Sequence, residues 1–377
     1  MWHINSDVLE TLSLNIAIGG WSVVFRAPSI CAKDAKDTFE DVGDIFMPSN
    51  TATQAARFSV APMMDWTDRH CRYLHRLMSQ HALLYTEMVT APAIIHGDRD
   101  RLLGFQAAEQ PLALQLGGSD PAQLAQAARI GADYGYAEVN LNCGCPSDRV
   151  QSGSFGAILM ENPKLVADCV AAMIAAVDIP VTVKCRIGVD EQDPSGVLPD
   201  FLAQVSAAGV DRFSVHARKA WLQGLSPKEN RDIPPLNYDL VFDMKGLFPH
   251  LHLSVNGGIE TLDSAQDFLD RGMDGVMIGR AAYHTPAQIL LDADQRIFGG
   301  GTTRSAEEVV HLMLPYIADH LAQGGRLGQI TRHMMGLFQG RPGARGWRRH
   351  LSENVHVEGA GPEVVLAALD HVTRLAA

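Results

Sequence analysis

The residues able to do chemistry in this chain are polar groups that interrupt or end short apolar runs. Cys145 stands in Gly144-Cys145-Pro146, a turn rather than a packed strand. A free thiol has a pKa of about 8.5 and is mostly protonated at neutral pH, which suits a general acid acting toward carbon. Lys184 follows Val181-Thr182-Val183, where an unpaired ammonium is costly; it either bonds an anionic ligand or, desolvated, forms a Schiff base. Arg186 lies two residues on and shares its strand face. His216 ends another run and by itself reads as a core histidine. Asn256-Gly257-Gly258 and Gly279-Arg280 put glycines where backbone N–H groups must approach something closely. Occurring after consecutive runs, with Arg280 to pair charge, they point to a phosphate.

These groups need a frame. From Phe58 onward, β-rich runs alternate with segments of helical period: Phe58–Met63, Leu83–Met88, Leu112–Leu116, Ala137–Leu141, Val181–Ile187, Arg212–Ala217, His252–Asn256 and Gly275–Ile278. Ser119-Asp120-Pro121 and Asn162-Pro163 open two of the intervening helices as cap and first-turn proline. Eight strand–helix repeats predict an α/β chain built as a (β/α)8 TIM barrel over residues 57–298. A C-terminal helical domain follows over 305–377, beyond Gly299-Gly300-Gly301. In such barrels the site lies at the C-terminal strand ends. Those ends carry Pro62-Met63-Met64-Asp65, Glu87, Gln115, Asn142, Cys145, Lys184, Arg186, His216, Asn256 and Arg280.

Composition narrows the classes. The 377 residues hold 31 Lys+Arg against 43 Asp+Glu, and a net charge of −12 argues against binding nucleic acid over the whole surface. One stretch inverts that balance: from His320 to Ser352 there is no acidic residue, while Arg326, Arg332, Arg341, Arg345, Arg348 and Arg349 surround Trp347. That pattern is either a solvated helix face or a phosphate-backbone surface. The six cysteines form no C-x-x-C pair, so neither a metal nor a disulfide framework is expected, and a reducing cytoplasm fits best. No run of eighteen apolar residues and no signal-like N-terminus is present, so a membrane role is not expected. Residues 1–56 lack periodicity and carry Asp34, Asp37, Glu40, Asp41 and Asp44; a poorly ordered extension is expected there, with Met47 as an alternative start.

Taken in order, the motifs resemble the tRNA-dihydrouridine synthases. The similarity rests on Ala61-Pro62-Met63-Met64-Asp65-Trp66-Thr67-Asp68-Arg69, Asn142 with Gly144-Cys145-Pro146-Ser147, Lys184-Cys185-Arg186, His216-Ala217-Arg218 and Asn256-Gly257-Gly258. The segment from Lys219 to Arg231, with Gly336-Leu337-Phe338-Gln339-Gly340 and the segment from Gly343 to Arg349, is similar to the A-type subfamily in particular. The resemblance implies an FMN-binding barrel, NADPH as reductant, and reduction of uridine in the tRNA D-loop at position 20 or 20a. It implies flavin contacts from Pro62, Met63, Met64, Gln115, Lys184 and His216, and phosphate contacts from Asn256, Gly257, Gly258, Gly279 and Arg280. Cys145 is then the proton donor, and Asn142 and Arg186 bond the uracil. Lys228, Arg231, Arg345 and Arg348 orient the tRNA, and the enzyme is expected to act as a monomer. Cys143 departs from the apolar residue expected at its position.

Elementary chemistry agrees with that implication. Uracil C5 has no basic handle, so its proton donor must be placed by geometry, opposite the face that receives hydride. A target base stacked inside folded RNA must first be extruded, at a cost of a few kcal/mol in unstacking. Phosphate contacts from the arginine-rich segment would offset that cost, with binding that weakens steeply in salt.

Overall fold

The computed structural model describes residues 48–147 and 155–374, and these belong to one compact unit. The strands are β1 (Phe58–Val60), β2 (Leu84–Tyr85), β3 (Val89–Thr90), β4 (Leu112–Gly117), β5 (Glu138–Cys143), β6 (Val181–Arg186), β7 (Arg212–His216), β8 (His252–Asn256) and β9 (Gly275–Ile278). All pairings are parallel, in the order β1-β9-β8-β7-β6-β5-β4-β2, and β3 pairs only with the end of β4. The cylinder closes where β1 meets β2: Val60 N–H donates to Leu83 O at 3.0 Å and Leu83 N–H to Phe58 O at 3.0 Å. The eight expected runs are therefore the eight barrel strands.

Strands β5 to β8 each alternate apolar and polar residues along their length, which gives the cylinder an apolar outer face and a polar inner one. Val139, Leu141, Cys143, Val181, Val183, Cys185, Phe213, Val215, Leu253 and Val255 are buried in the large core between the sheet and its helices. Their neighbours Glu138, Asn140, Asn142, Thr182, Lys184, Arg186, Ser214, His216, Ser254 and Asn256 take the other face, inside the barrel. Only one flank of that interior is apolar, a small cluster of Ala61, Leu83, Tyr85, Ala113 and Met277 closed by Ala55 and Ala56.

Helices cover the outside where their caps were foreseen. Asp120 accepts from Gln123 N–H to open Pro121–Asp133, and Asn162 accepts from Leu165 N–H to open Pro163–Ile174. The C-terminal part consists of helices Ala306–Ala322, Leu327–Met334, Ala344–Asn354 and Pro362–Thr373, the first opened by a capping box between Ser305 and Glu308. The first two of these pack on the barrel helix Arg69–Met78.

One expectation is corrected here. Of the stretch 1–56 expected to be poorly ordered, residues 1–47, Met47 included, lie outside the described residues, but Pro48–Ala55 is a helix. Ala52, Ala55 and Ala56 recur at helical spacing and are buried, and Arg212 Nη1 donates to Ala52 O at 3.3 Å. This helix caps the N-terminal end of the barrel, a role that three small alanines do not announce. Among the described residues no helix is long and apolar enough to cross a membrane.

Candidate active site

β5 delivers Cys145. Asn142, buried near the strand's end, turns its side chain back on the chain: Oδ1 accepts from Gly144 N–H at 3.0 Å and from Cys145 N–H at 2.9 Å. Cys145 O in turn accepts from Ala157 N–H at 2.9 Å, and Cys145 Sγ lies 3.6 Å from Ser147 Oγ. The thiol is half-buried in a turn gripped from both sides. Cys143 is the opposite case, fully buried on the outward face, where burial and the neighbouring Cys185 and Cys169 push its thiol well above the ordinary range. It packs in the core and shares neither face nor chemistry with Cys145.

Arg186, at the end of β6, fastens this turn to the next loop. Its Nε donates to Gly144 O at 2.8 Å, and Nη1 donates to Lys219 O at 2.9 Å and Asn230 O at 3.1 Å. Among the described residues Nη2 has no partner, so a donor remains for a ligand. Burial, opposed by Cys145 and assisted by Arg231 and Arg218, lowers the guanidinium to about 10. Lys184, two residues earlier, donates to Asn256 Oδ1 at 3.1 Å, while Asn256 Nδ2 donates to Met277 O at 2.8 Å. Burial and the neighbouring Arg186 pull the Lys184 ammonium down to about 8.

Around Lys184 the ends of β7, β8 and β9 gather positive charge. Burial, Arg186, Lys184, Arg218 and Arg280 hold His216 well below the usual imidazole range, so its ring is neutral at pH 7. Gly257 (φ +107) must be glycine, because a Cβ there would sit 2.5 Å from His216 Cδ2. Gly258 (φ +69) is confined likewise, with Leu236 Cδ1 2.6 Å from its would-be Cβ. Among the described residues neither glycine N–H donates within the protein. Arg218 Nε and Arg231 Nε are buried without hydrogen-bond partners. Arg280, following Gly279, pairs with Asp232 at 2.6 Å, leaving the group short of negative charge. Bare N–H groups beside orphaned guanidinium nitrogens fit a phosphate group.

The loop after β1 supplies the opposite rim. Thr67 Oγ1 accepts from Met63 N–H at 2.9 Å and donates to Met63 O at 3.2 Å, which closes the turn Pro62-Met63-Met64. Asp65, at φ +65, donates its N–H to the Glu87 carboxylate, and Met64 stands 54% exposed over the mouth. Gln115 is buried one layer down, bonded to Asn140 and Asn142. Among the described residues no cluster of His, Cys, Asp or Glu is arranged to hold a metal.

The remaining expected residues lie apart from the mouth or on its rim. Lys228 is exposed and opens the short turn Glu229–Arg231. Arg345 and Arg348 belong to the helix Ala344–Asn354, which packs on Pro362–Thr373. Ala344, Trp347 and Leu351 fill that helix's buried stripe, with Trp347 Nε1 donating to Met334 O at 3.0 Å. Arg345, Arg348 and Arg349 consequently share the outer face. Arg348 bonds Gln339, whereas Arg345 and Arg349 have no side-chain partner among the described residues. The arginine run therefore does not act as one surface: Arg332 pairs with Asp68 and Arg341 with Glu307.

Sequence reasoning missed Asn140, Thr182, Glu138 and Arg212, and it gave Arg218 no role of its own. The available signal was polar residues recurring every second position along strands otherwise apolar.

The model of the dihydrouridine synthase family matches residues 59–373. A tRNA-dihydrouridine(20/20a) synthase of Shewanella oneidensis is 60% identical over 316 residues, covering 84% of this chain and 93% of that one. Those of Vibrio cholerae and Escherichia coli K12 are each 58% identical, covering 84% and 88% of this chain and 97% and 95% of theirs. The chain belongs to the dihydrouridine synthase family.

Proposed function

We propose that this protein is a flavin-dependent tRNA-dihydrouridine synthase that reduces the C5–C6 bond of uridine 20 or 20a in the tRNA D-loop; the relatives' names, tRNA-dihydrouridine(20/20a) synthase, support the substrate and its position. The observation that carries the reading is Cys145, a half-buried thiol in a turn fixed by Asn142 and Arg186, set beside the cationic pocket of Lys184, Arg186 and Arg280. FMN, reduced by NADPH, would supply hydride to C6. Lys184, His216, Gln115 and the turn Pro62-Met63-Met64 would hold its ring, and Asn256, Gly257, Gly258, Gly279 and Arg280 its phosphate.

The chain's own residues then divide the work. Cys145 gives its proton to C5, and the turn supplies the placement that charge cannot. The second N–H of Asn142 and the unpartnered Nη2 of Arg186 donate to uracil carbonyls. Neutral His216 packs on Gly257 without adding charge. Lys184, in the cationic pocket, stabilises negative charge on the group bound there. Arg345 and Arg348 on the outer helix face, with Lys228 and Arg231, meet tRNA phosphates. In this reading the enzyme acts as a monomer, in the cytoplasm, on folded tRNA.

The deciding experiment is nucleoside mass spectrometry of tRNA from a strain lacking its own position-20 synthase. Supplying this gene restores dihydrouridine at 20 and 20a; supplying Cys145→Ala does not. Failure of the unaltered gene to restore it rejects the reading.

A further inference from the structure

An unbroken line of hydrogen bonds runs through the barrel from its foot to the Cys145 turn. At the foot, Glu138 and Arg212 form a buried ion pair at 2.5 Å. The Thr182 hydroxyl donates to Glu138 Oε1, which also accepts from Tyr85 Oη at 3.0 Å. Asn140 Nδ2 donates to Thr182 Oγ1, Gln115 Nε2 to Asn140 Oδ1 and Asn142 Nδ2 to Gln115 Oε1, each at 2.8 Å. The line ends where Asn142 Oδ1 accepts from the N–H groups of Gly144 and Cys145. Glu138, Thr182, Asn140 and Gln115 are each no more than 2% exposed, so water does not compete for these bonds.

The two ends dictate the direction. An ionised carboxylate only accepts, and a backbone N–H only donates. Thr182 must therefore point its single proton at Glu138 and accept from Asn140. Asn140 then has only its oxygen for Gln115, Gln115 only its oxygen for Asn142, and Asn142 only its oxygen for the turn. Reversing any one amide sets donor against donor on one side and acceptor against acceptor on the other, and leaves buried groups unsatisfied. Register makes the relay possible, because Gln115 faces Asn140 and Asn140 faces Thr182 across neighbouring strands.

We propose that Glu138, Thr182 and Asn140 are positioning residues for the reaction, relaying one fixed polarity to Asn142 so that its oxygen holds the Cys145 turn and its free N–H faces the substrate. This rests on the reading of Cys145 and Asn142 given above. The relay makes a carboxylate at the barrel foot determine which hydrogen-bonding group the mouth presents. A mouth offering an N–H accepts a pyrimidine carbonyl; the reversed amide would offer an oxygen and repel it.

The test uses the flavin-loaded full chain and three variants. Thr182→Val keeps the volume and deletes the hydroxyl, Thr182→Ser keeps the hydroxyl, and Asn140→Asp can donate to Thr182 only when its new carboxyl is protonated. Two readouts are taken: the single-turnover rate of tRNA reduction, and deuterium uptake by the peptide spanning 142–147. With Val, tRNA reduction is expected to slow roughly tenfold and uptake to rise, while reduction of the flavin by NADPH stays within about twofold. Ser is expected to restore both. Asn140→Asp is expected to lose tRNA reduction as pH rises across a range where the unaltered protein is flat, and it serves alone should Thr182→Val fail to fold. A Val variant as fast and as protected as the parent overturns the proposal. So does a Ser variant as impaired as Val, or an Asp variant with the parent's pH profile. Faster exchange at 142–147 with full dihydrouridine formation keeps the relay and instead rejects the assignment of Cys145 and Asn142 to the chemistry.

Discussion

Asp68 Oδ1 lies 3.0 Å from His333 Nε2, and this contact joins the start of the first barrel helix to the C-terminal helices. The same carboxylate accepts from His70 and Cys71 N–H at 3.0 Å each and pairs with Arg332 at 2.5 Å. Trp66, two residues earlier, stacks on Tyr283 at 4.6 Å, and Tyr283 meets His333 edge-on. One side chain thus caps a helix, closes the mouth's rim and anchors the part of the chain expected to meet RNA.

The Asp68 junction has a pH signature. Burial works to raise the Asp68 carboxyl, but His333, Cys71 N–H and Arg332 outweigh it and hold the group well below the ordinary carboxylate range. A folded-state value below the unfolded value of about 3.9 gives stability that is fully present above that value and lost as pH falls beneath it. Asp68→Asn keeps the cap and loses the charge. Its melting temperature should fall below the parent's by several degrees at pH 7, for a loss of about 2 kcal/mol, and the gap should narrow as pH drops below about 4. Melting curves from pH 3 to 7 check this; a gap indifferent to pH would refute it.

Cys145→Ala removes the proposed proton donor and little else, because the turn is held by backbone N–H groups and by Asn142. Loss of a placed general acid costs about 10² to 10⁴ in rate. The variant should bind tRNA and accept electrons from NADPH as the parent does, then stall with reduced flavin that tRNA no longer reoxidises. Stopped-flow absorbance in the flavin band measures both halves, and rapid reoxidation by tRNA would sink the assignment.

Lys184 should make anion binding at the mouth depend on pH. With its ammonium pulled down to about 8 by burial and by Arg186, the side chain is charged below that value and increasingly neutral above it. Protein stripped of flavin should therefore bind FMN well at pH 7 and progressively less well above pH 8. Lys184→Met should bind weakly and without that dependence. Quenching of FMN fluorescence on titration reads both; a Lys184→Met curve with the parent's pH dependence would place the titrating group elsewhere.

The barrel was legible because its outward residues, such as Val139 and Leu141 or Val181 and Val183, make apolar runs that sequence reveals directly. The candidate site shows in the sequence as well, since Cys145, Lys184 and Gly257 stand in or just past those runs as residues that burial alone does not explain. What stayed hidden depends on register. Glu138 and Arg212 are 74 residues apart, and only the pairing of β5 through β6 to β7 brings them together. Arg332 and Asp68 are 264 apart and Arg341 and Glu307 are 34 apart, so a basic run looked uniform when two members were already neutralised. Trp347 looked like an aromatic among cations, yet its spacing from Ala344 and Leu351 puts it in the core.

That division of the arginine segment yields the last prediction. Arg345, Arg348 and Arg349 face outward on one helix, and none pairs with a carboxylate among the described residues, whereas Arg341 is tied to Glu307 and Arg332 to Asp68. Each cation that neutralises a phosphate contributes about one unit to the slope of log affinity against log salt. Arg345→Ala with Arg348→Ala should therefore weaken tRNA binding and flatten that slope by about 2, with flavin content and NADPH oxidation unchanged. Arg341→Ala should instead lower the melting temperature and leave the slope nearly intact, because its charge already serves Glu307. Filter binding over a range of salt concentrations separates the two. If Arg341→Ala flattened the slope as much as the double variant, paired and unpaired arginines would be equivalent at the RNA, and the outer helix face would lose its claim.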